Sequence, residues 1–180
     1  MIRINQIAMA IAACAALTCS SAFAMTKAEY NAAKDRADAD YKAAEGQCAS
    51  LAGNPKDVCK AEAKAAQSKA KAAAEADYKN TDDARRDASI AAADADYDVA
   101  KQRCDAKTGN EKDVCVKEAK AAQTRLVADA KATDKSRTAR KDANADKADA
   151  DYKVAMEKCD GFSGQSKDDC QKSAKARYGK

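Results

Sequence analysis

The sequence predicts an all-α protein, an elongated up-and-down array of long Ala-rich helices joined by three disulfide-clamped helical hairpins. Three observations predict it. A unit containing a cysteine pair recurs as DADYKAAEGQCASLAGNPKDVCKAEAKAAQ from Asp38, DADYDVAKQRCDAKTGNEKDVCVKEAKAAQ from Asp94 and DADYKVAMEKCDGFSGQSKDDCQKSAKARYGK from Asp149. Self-similarity at such a period marks a supersecondary unit used repeatedly. Alanine supplies 40 of the residues from Met25 onward, and Ala, Lys, Glu, Gln and Arg are the best intrinsic helix formers. Proline occurs once, at Pro55, and glycine gathers at the turns.

The first 24 residues read as a signal peptide. Arg3 is the charged start, Ile7 to Cys19 is an uncharged apolar run, and Ala22-Phe23-Ala24 is a small-x-small site for cleavage after Ala24. The run holds 13 residues, where a bilayer-spanning helix needs roughly 20. Ile11-Ala12-Ala13-Cys14 also resembles a lipobox, which would make Cys14 a lipidated N-terminus. Parity separates the two readings. Cleavage after Ala24 leaves six cysteines in three pairs, whereas lipidation leaves Cys19 without a partner. The expected address is periplasmic, with no transmembrane segment in the mature chain and a lipoprotein anchored at Cys14 as the alternative.

An exported chain meets an oxidising compartment, so the repeated cysteines read as disulfides. The repeat selects Cys48–Cys59, Cys104–Cys115 and Cys159–Cys170, each inside its own hairpin. Metal or redox chemistry fits less well, because the chain has no His and the pairs lack the Cys-x-x-Cys spacing. Neither a metal nor a cofactor is expected.

The hairpins run from about 25 to 180, with turns near 52–56, 107–111 and 161–166. Gly53, Gly109 and Gly164 each follow the first Cys by five residues, where a left-handed residue ends a helix. Asn54 then reads as the cap of the next helix and Pro55 as its first residue. Asn110 repeats the cap, and in the third copy Ser166 takes it because Gln165 stands at the Asn position. Short turns force antiparallel helices and set the cysteines face to face.

Beyond the bridges the seam reads as alanine. Cys59, Ala63, Ala66, Ala70 and Ala73 advance by four and three, as do Cys115, Ala119, Ala122 and Leu126. On the leading helices Tyr41, Ala44, Cys48 and Leu51 share a face, as do Tyr97, Ala100 and Cys104, and Tyr152, Ala155 and Cys159. Self-association through such Ala seams is a further expectation. Asp57–Lys107 and Lys112–Asp160 contain no Pro or Gly, so each reads as one long helix, with Thr81-Asp82-Asp83 and Thr133-Asp134 as points of bending or fraying.

The composition argues against an enzyme. There is no His for a general base and no Trp, and no Gly-rich phosphate loop or apolar pocket wall is written. The pairs Asp38/Asp40, Asp94/Asp96 and Asp149/Asp151 sit two apart on a helix and read as solvated charge. The repeated tyrosines read as seam residues in preference to a ligand platform. Without Arg3 the chain carries 32 basic against 29 acidic side chains, interleaved throughout. That pattern is weak for nucleic acid, and alanine is too small for a membrane-surface helix.

The DADYKVAxxxC…GNxKDVCVKEAKAA pattern resembles uncharacterised Ala/Lys-rich exported Cys-repeat proteins of betaproteobacteria, often labelled TolA-like or cell-envelope proteins. The resemblance covers the mature chain and rests on its Tyr–Cys–Gly–Asn–Cys spacing. It implies an envelope location and no defined activity. The reading is therefore a non-enzymatic periplasmic helical spacer, scaffold or interaction protein whose partner is an unknown envelope protein. The alternative is a stress-related binder of polyanions such as lipopolysaccharide, polyphosphate or nucleic acid; thiol-based redox or metal sensing is a third class.

Overall fold

The computed structural model describes residues 25–180; the signal-peptide reading of 1–24, including Cys14, lies outside them. The described chain is all-helical. It runs α1 (Lys27–Gln47), a 3-10 turn (Cys48–Ser50), α2 (Gly53–Lys79), α3 (Asp82–Cys104), α4 (Gly109–Cys159) and α5 (Gly164–Tyr178). Thr26 opens α1 with a capping box, its side chain accepting from the Glu29 N–H while the Glu29 carboxylate accepts from the Thr26 N–H.

Each helix packs only on its neighbours in sequence, α1 on α2, α2 on α3, α3 on α4 and α4 on α5. Among the described residues the result is a single antiparallel layer with a thin core, clustered at Ala65, Ala95 and Val99. Its buried residues are Ala37, Ala63, Ala65, Ala74, Ala76, Ala84, Ala93, Ala95, Val99 and Ala174, together with Cys48, Cys104 and Cys159. Small side chains let helix axes approach closely, but each buries little apolar surface. Stability therefore leans on the bridges.

Because α2 and α3 are covered on both sides, the seam departs from the predicted one. Ala66, Ala70 and Ala73 are exposed. Facing α1, α2 instead uses Cys59, Ala63, Gln67, Lys71, Ala74 and Tyr78, with Gln67 and Lys71 both reaching Asp38. On α4 the stripe facing α3 passes through Cys115, Ala119 and Gln123, leaving Ala122 exposed and Leu126 50% exposed. Long polar side chains span the helix gap here, and a search for apolar residues alone passes over them. Leu51 falls beyond the 3-10 turn and is also exposed. Tyr41, Ala44 and Cys48, and their counterparts in the other two copies, do lie on the hairpin seams.

The long helices divide. α4 is continuous over 51 residues, straight through Thr133-Asp134. The expected helix from Asp57 to Lys107 is broken between α2 and α3, where Asn80 is left-handed (φ 48°, ψ 37°) and Thr81 is extended, accepting from the Ala84 N–H at 3.1 Å. Asparagine tolerates the left-handed region. At the second site the residue before Thr133 is Ala132, which does not, so α4 continues.

Candidate functional site

The features that could serve a function are the three clamped hairpins, the groove over α2, the charged corner at the α2–α3 turn, and the bare middle of α4. At each hairpin tip the disulfide joins Cα atoms 5.6–5.7 Å apart, within unstrained reach. The first cysteine of each pair is fully buried. All six described cysteines are bridged, and among the described residues no cluster of His, Cys, Asp or Glu is placed to hold a metal.

The turn residues adopt roles other than those expected. Gly53, Gly109 and Gly164 are left-handed, with φ of 54–58°. They open α2, α4 and α5 and do not close the preceding helices. The preceding residues Ala52, Thr108 and Ser163 are extended and make no side-chain cap. The reversal is thus made by backbone shape, which moves the helix starts ahead of Asn54, Asn110 and Ser166. Asn54 instead donates to the Gln102 carbonyl of α3 at 2.6 Å, tying one hairpin to the next. Pro55 is the third residue of α2, and Asn110 and Ser166 lie exposed in the first turns of α4 and α5. Lys112–Asp105 at 2.8 Å and Lys167–Asp160 at 2.9 Å close the second and third turns; Ala49 stands at the acidic position in the first.

A second clasp sits away from each turn, on the leading Asp of the DADY segment. Gln67 donates to Asp38 at 2.5 Å, with Lys71 beside it, and Gln123 donates to Asp94 at 2.5 Å. In the third copy Lys180 pairs with Asp149 at 2.5 Å. The Lys71 and Lys180 ammonium groups hold the Asp38 and Asp149 carboxyls below the usual carboxylate range. These aspartates are therefore partners across the hairpin as well as solvated charge, and the Gln at a fixed distance past the second Cys was the signal for it. Tyrosines finish the open ends. Tyr30 stacks on Tyr78 (centroids 4.8 Å, 15° between planes) beneath Lys27 and Lys34, and Tyr152 meets Tyr178 edge-on at 6.1 Å. Tyr97 lies under Lys120. Half-burial and these contacts account for Tyr30, Tyr78, Tyr97, Tyr152 and Tyr178 as seam closures, while Phe162 is exposed.

The groove over α2, walled by α1 and α3, has a volume of about 610 Å³. Glu45, Asp57, Asp94 and Asp98 face Lys60, Lys64 and Lys101 across it, so the two signs nearly cancel and a polyanion gains little there. At the corner, Asp82 accepts from Lys141, from Arg137 at 2.8 Å and from Arg85 at 3.1 Å. These cations, Lys141 foremost, hold its carboxyl far below the usual range. Arg86 binds Asp134 at 2.8 Å, with Asp87 and Asp83 at 2.9 and 2.5 Å. The corner fixes α3 against α4, and its cations are matched by acids. Past it, residues 142–147 of α4 are all exposed.

Among the described residues no helix is long and apolar enough to cross a membrane. No family model, curated protein or solved structure matches the chain.

Proposed function

We propose that the chain is a non-enzymatic helical spacer or scaffold of the cell envelope, exported to the periplasm and belonging with the Ala/Lys-rich Cys-repeat proteins it resembles. The observation that carries this reading is α4. One continuous 51-residue helix is shared by two clamped hairpins and bare between them, which holds the third hairpin at a set distance along a rod of about 75 Å. Disulfides at the three hairpin tips suit an oxidising compartment, and they keep the ends of the rod folded without a large core. Partners of the hairpin faces would be envelope proteins recognised through matched charge, since the groove and the corner each balance their signs.

The test is recovery of the native chain from the cell envelope under non-reducing conditions, by intact mass and by its retention on a polyanion column. A chain starting at Met25 with three intact bridges, co-isolating a defined envelope protein in high salt, is the expected result. Free thiols in an uncleaved chain, or salt-sensitive retention on the polyanion with no protein partner, would overturn it.

A further inference from the structure

We propose that α4 is also a dimer interface, pairing antiparallel with α4 of a second copy so that each third hairpin seats against the second hairpin of its partner. The pattern for this contact is already used once inside the chain, where the first hairpin meets the second. There the α2 face of Glu62, Ala65 and Lys69 meets α3 and continues by helical spacing through Val58, Ala72 and Ala76, while the matching α3 stripe runs through Ala84, Ala88, Ala95 and Val99. Ala65 packs with Ala95 and Val99; Glu62 pairs with Arg103 at 2.5 Å and Lys69 with Asp96.

Both halves of that contact recur on α4 without an occupant. Counting 56 residues from the first copy to the second, the α2 stripe returns as Val114, Glu118, Ala121, Arg125, Ala128 and Ala132. Counting 55 from the second to the third, the α3 stripe returns as Ala139, Ala143, Ala150 and Val154, with Asp151 and Lys158 where Asp96 and Arg103 stand. All of these residues are exposed, including Val114 at 46% and Val154 at 53%. Ala132 and Ala139 are seven residues apart, so the two stripes lie in phase on one face of the continuous helix. The opposite face carries Cys115 and Gln123 toward α3, and Tyr152 and Cys159 toward α5. A hollow of about 380 Å³ beside the free face is lined by Asp151, Val154 and Lys158 of α4 and by Ala174 and Arg177 of α5.

The two stripes cannot meet within one chain while α4 is unbroken. Where Asn80-Thr81 turns α2 back into α3, the equivalent residues are Ser136-Arg137, inside the helix and without the left-handed residue or the cap. A second copy can bring them together. With the helices antiparallel in the register of the α2–α3 contact, Glu118 meets Lys158 of the second copy and Arg125 meets Asp151 of the second copy. The reverse pairs form by symmetry, and the twofold axis passes near Thr138. The contact is isologous and closed. Two helix faces about 65 Å long and about 10 Å wide bury on the order of 1,300 Å² in total, within the range of specific interfaces. α1 carries the same stripe as Ala28, Ala32, Ala39 and Ala43, but Gln47 stands for Arg103 and Ala43 for Val99. Charge and bulk therefore favour the third hairpin as the occupant over a head-to-tail chain through α1.

The experiment is sedimentation equilibrium of the oxidised full-length chain over a concentration series, with circular dichroism to verify folding. A dimer is expected. Arg125→Glu should raise its dissociation constant about tenfold, because a pair is lost and a repulsion gained at two symmetric places. Adding Asp151→Arg should restore it. A monomer throughout the series overturns the proposal, as does a dimer indifferent to Arg125→Glu or one that Asp151→Arg does not rescue.

Discussion

Single residues set the turns and the corner. Gly109 is left-handed at φ 54° with open space around it, so Gly109→Ala meets backbone strain and no clash. It should cost about 1–2 kcal/mol, read as a lower thermal midpoint. Gly46 lies in α1 with open space and an ordinary helical backbone, and Gly46→Ala should stabilise by about 0.5–1 kcal/mol. Opposite signs for two Gly→Ala changes are the check. Asp82 carries the clearest pH dependence. Its folded pKa is depressed by Lys141, Arg137 and Arg85, so its contribution is present above the unfolded value near 4 and is lost as pH falls through the folded value. The thermal midpoint should decline as the solution is acidified below about pH 4, and Asp82→Asn should lower the neutral midpoint while flattening that decline.

At the scale of elements, each hairpin is held by a bridge at its tip and an aspartate clasp further along. A bridge closing about a dozen residues is worth roughly 3 kcal/mol through the unfolded state, a large share of the 5–15 kcal/mol typical of a domain. Cys104→Ser with Cys115→Ser should therefore lower the midpoint of helix loss in circular dichroism by many degrees. Lys117→Ala, at an exposed position on the same helix, should barely move it. The elements also explain why periodicity misplaced the seam. Apolar spacing of three and four picked Ala66, Ala70 and Ala73, yet Gln67 and Lys71 reach across to Asp38. In helices this rich in alanine, several faces satisfy the same apolar rule, and the polar cross-links decide among them.

For the whole molecule, the bare stretch of α4 governs reach. No neighbouring helix of the same chain covers residues 142–147, so Asn144→Pro should kink the rod with no contact inside the chain to hold it straight. Small-angle scattering should report a shorter maximum dimension, while the three bridges and most of the helix signal persist. An unchanged dimension would mean that the third hairpin is placed by contacts other than the rod.

The sequence by itself determined the helical class, the three hairpins and the cysteine partners, because these depend on local propensity and on a repeat that recurs with the same spacing. Tertiary structure decided what short-range patterns could not. It chose which helix face is buried, since α2 and α3 answer to two neighbours and α4 to α3 and α5 in turn. It also turned Asn54 from a cap into a tie between hairpins and the leading Asp of each DADY segment into a clasp. The break at Asn80 and the continuity through Ser136 were written as a choice between a residue that tolerates the left-handed backbone and one that does not. The weight of that difference became legible only once α3 was seen folded back on α2 while the third hairpin stood away from the second.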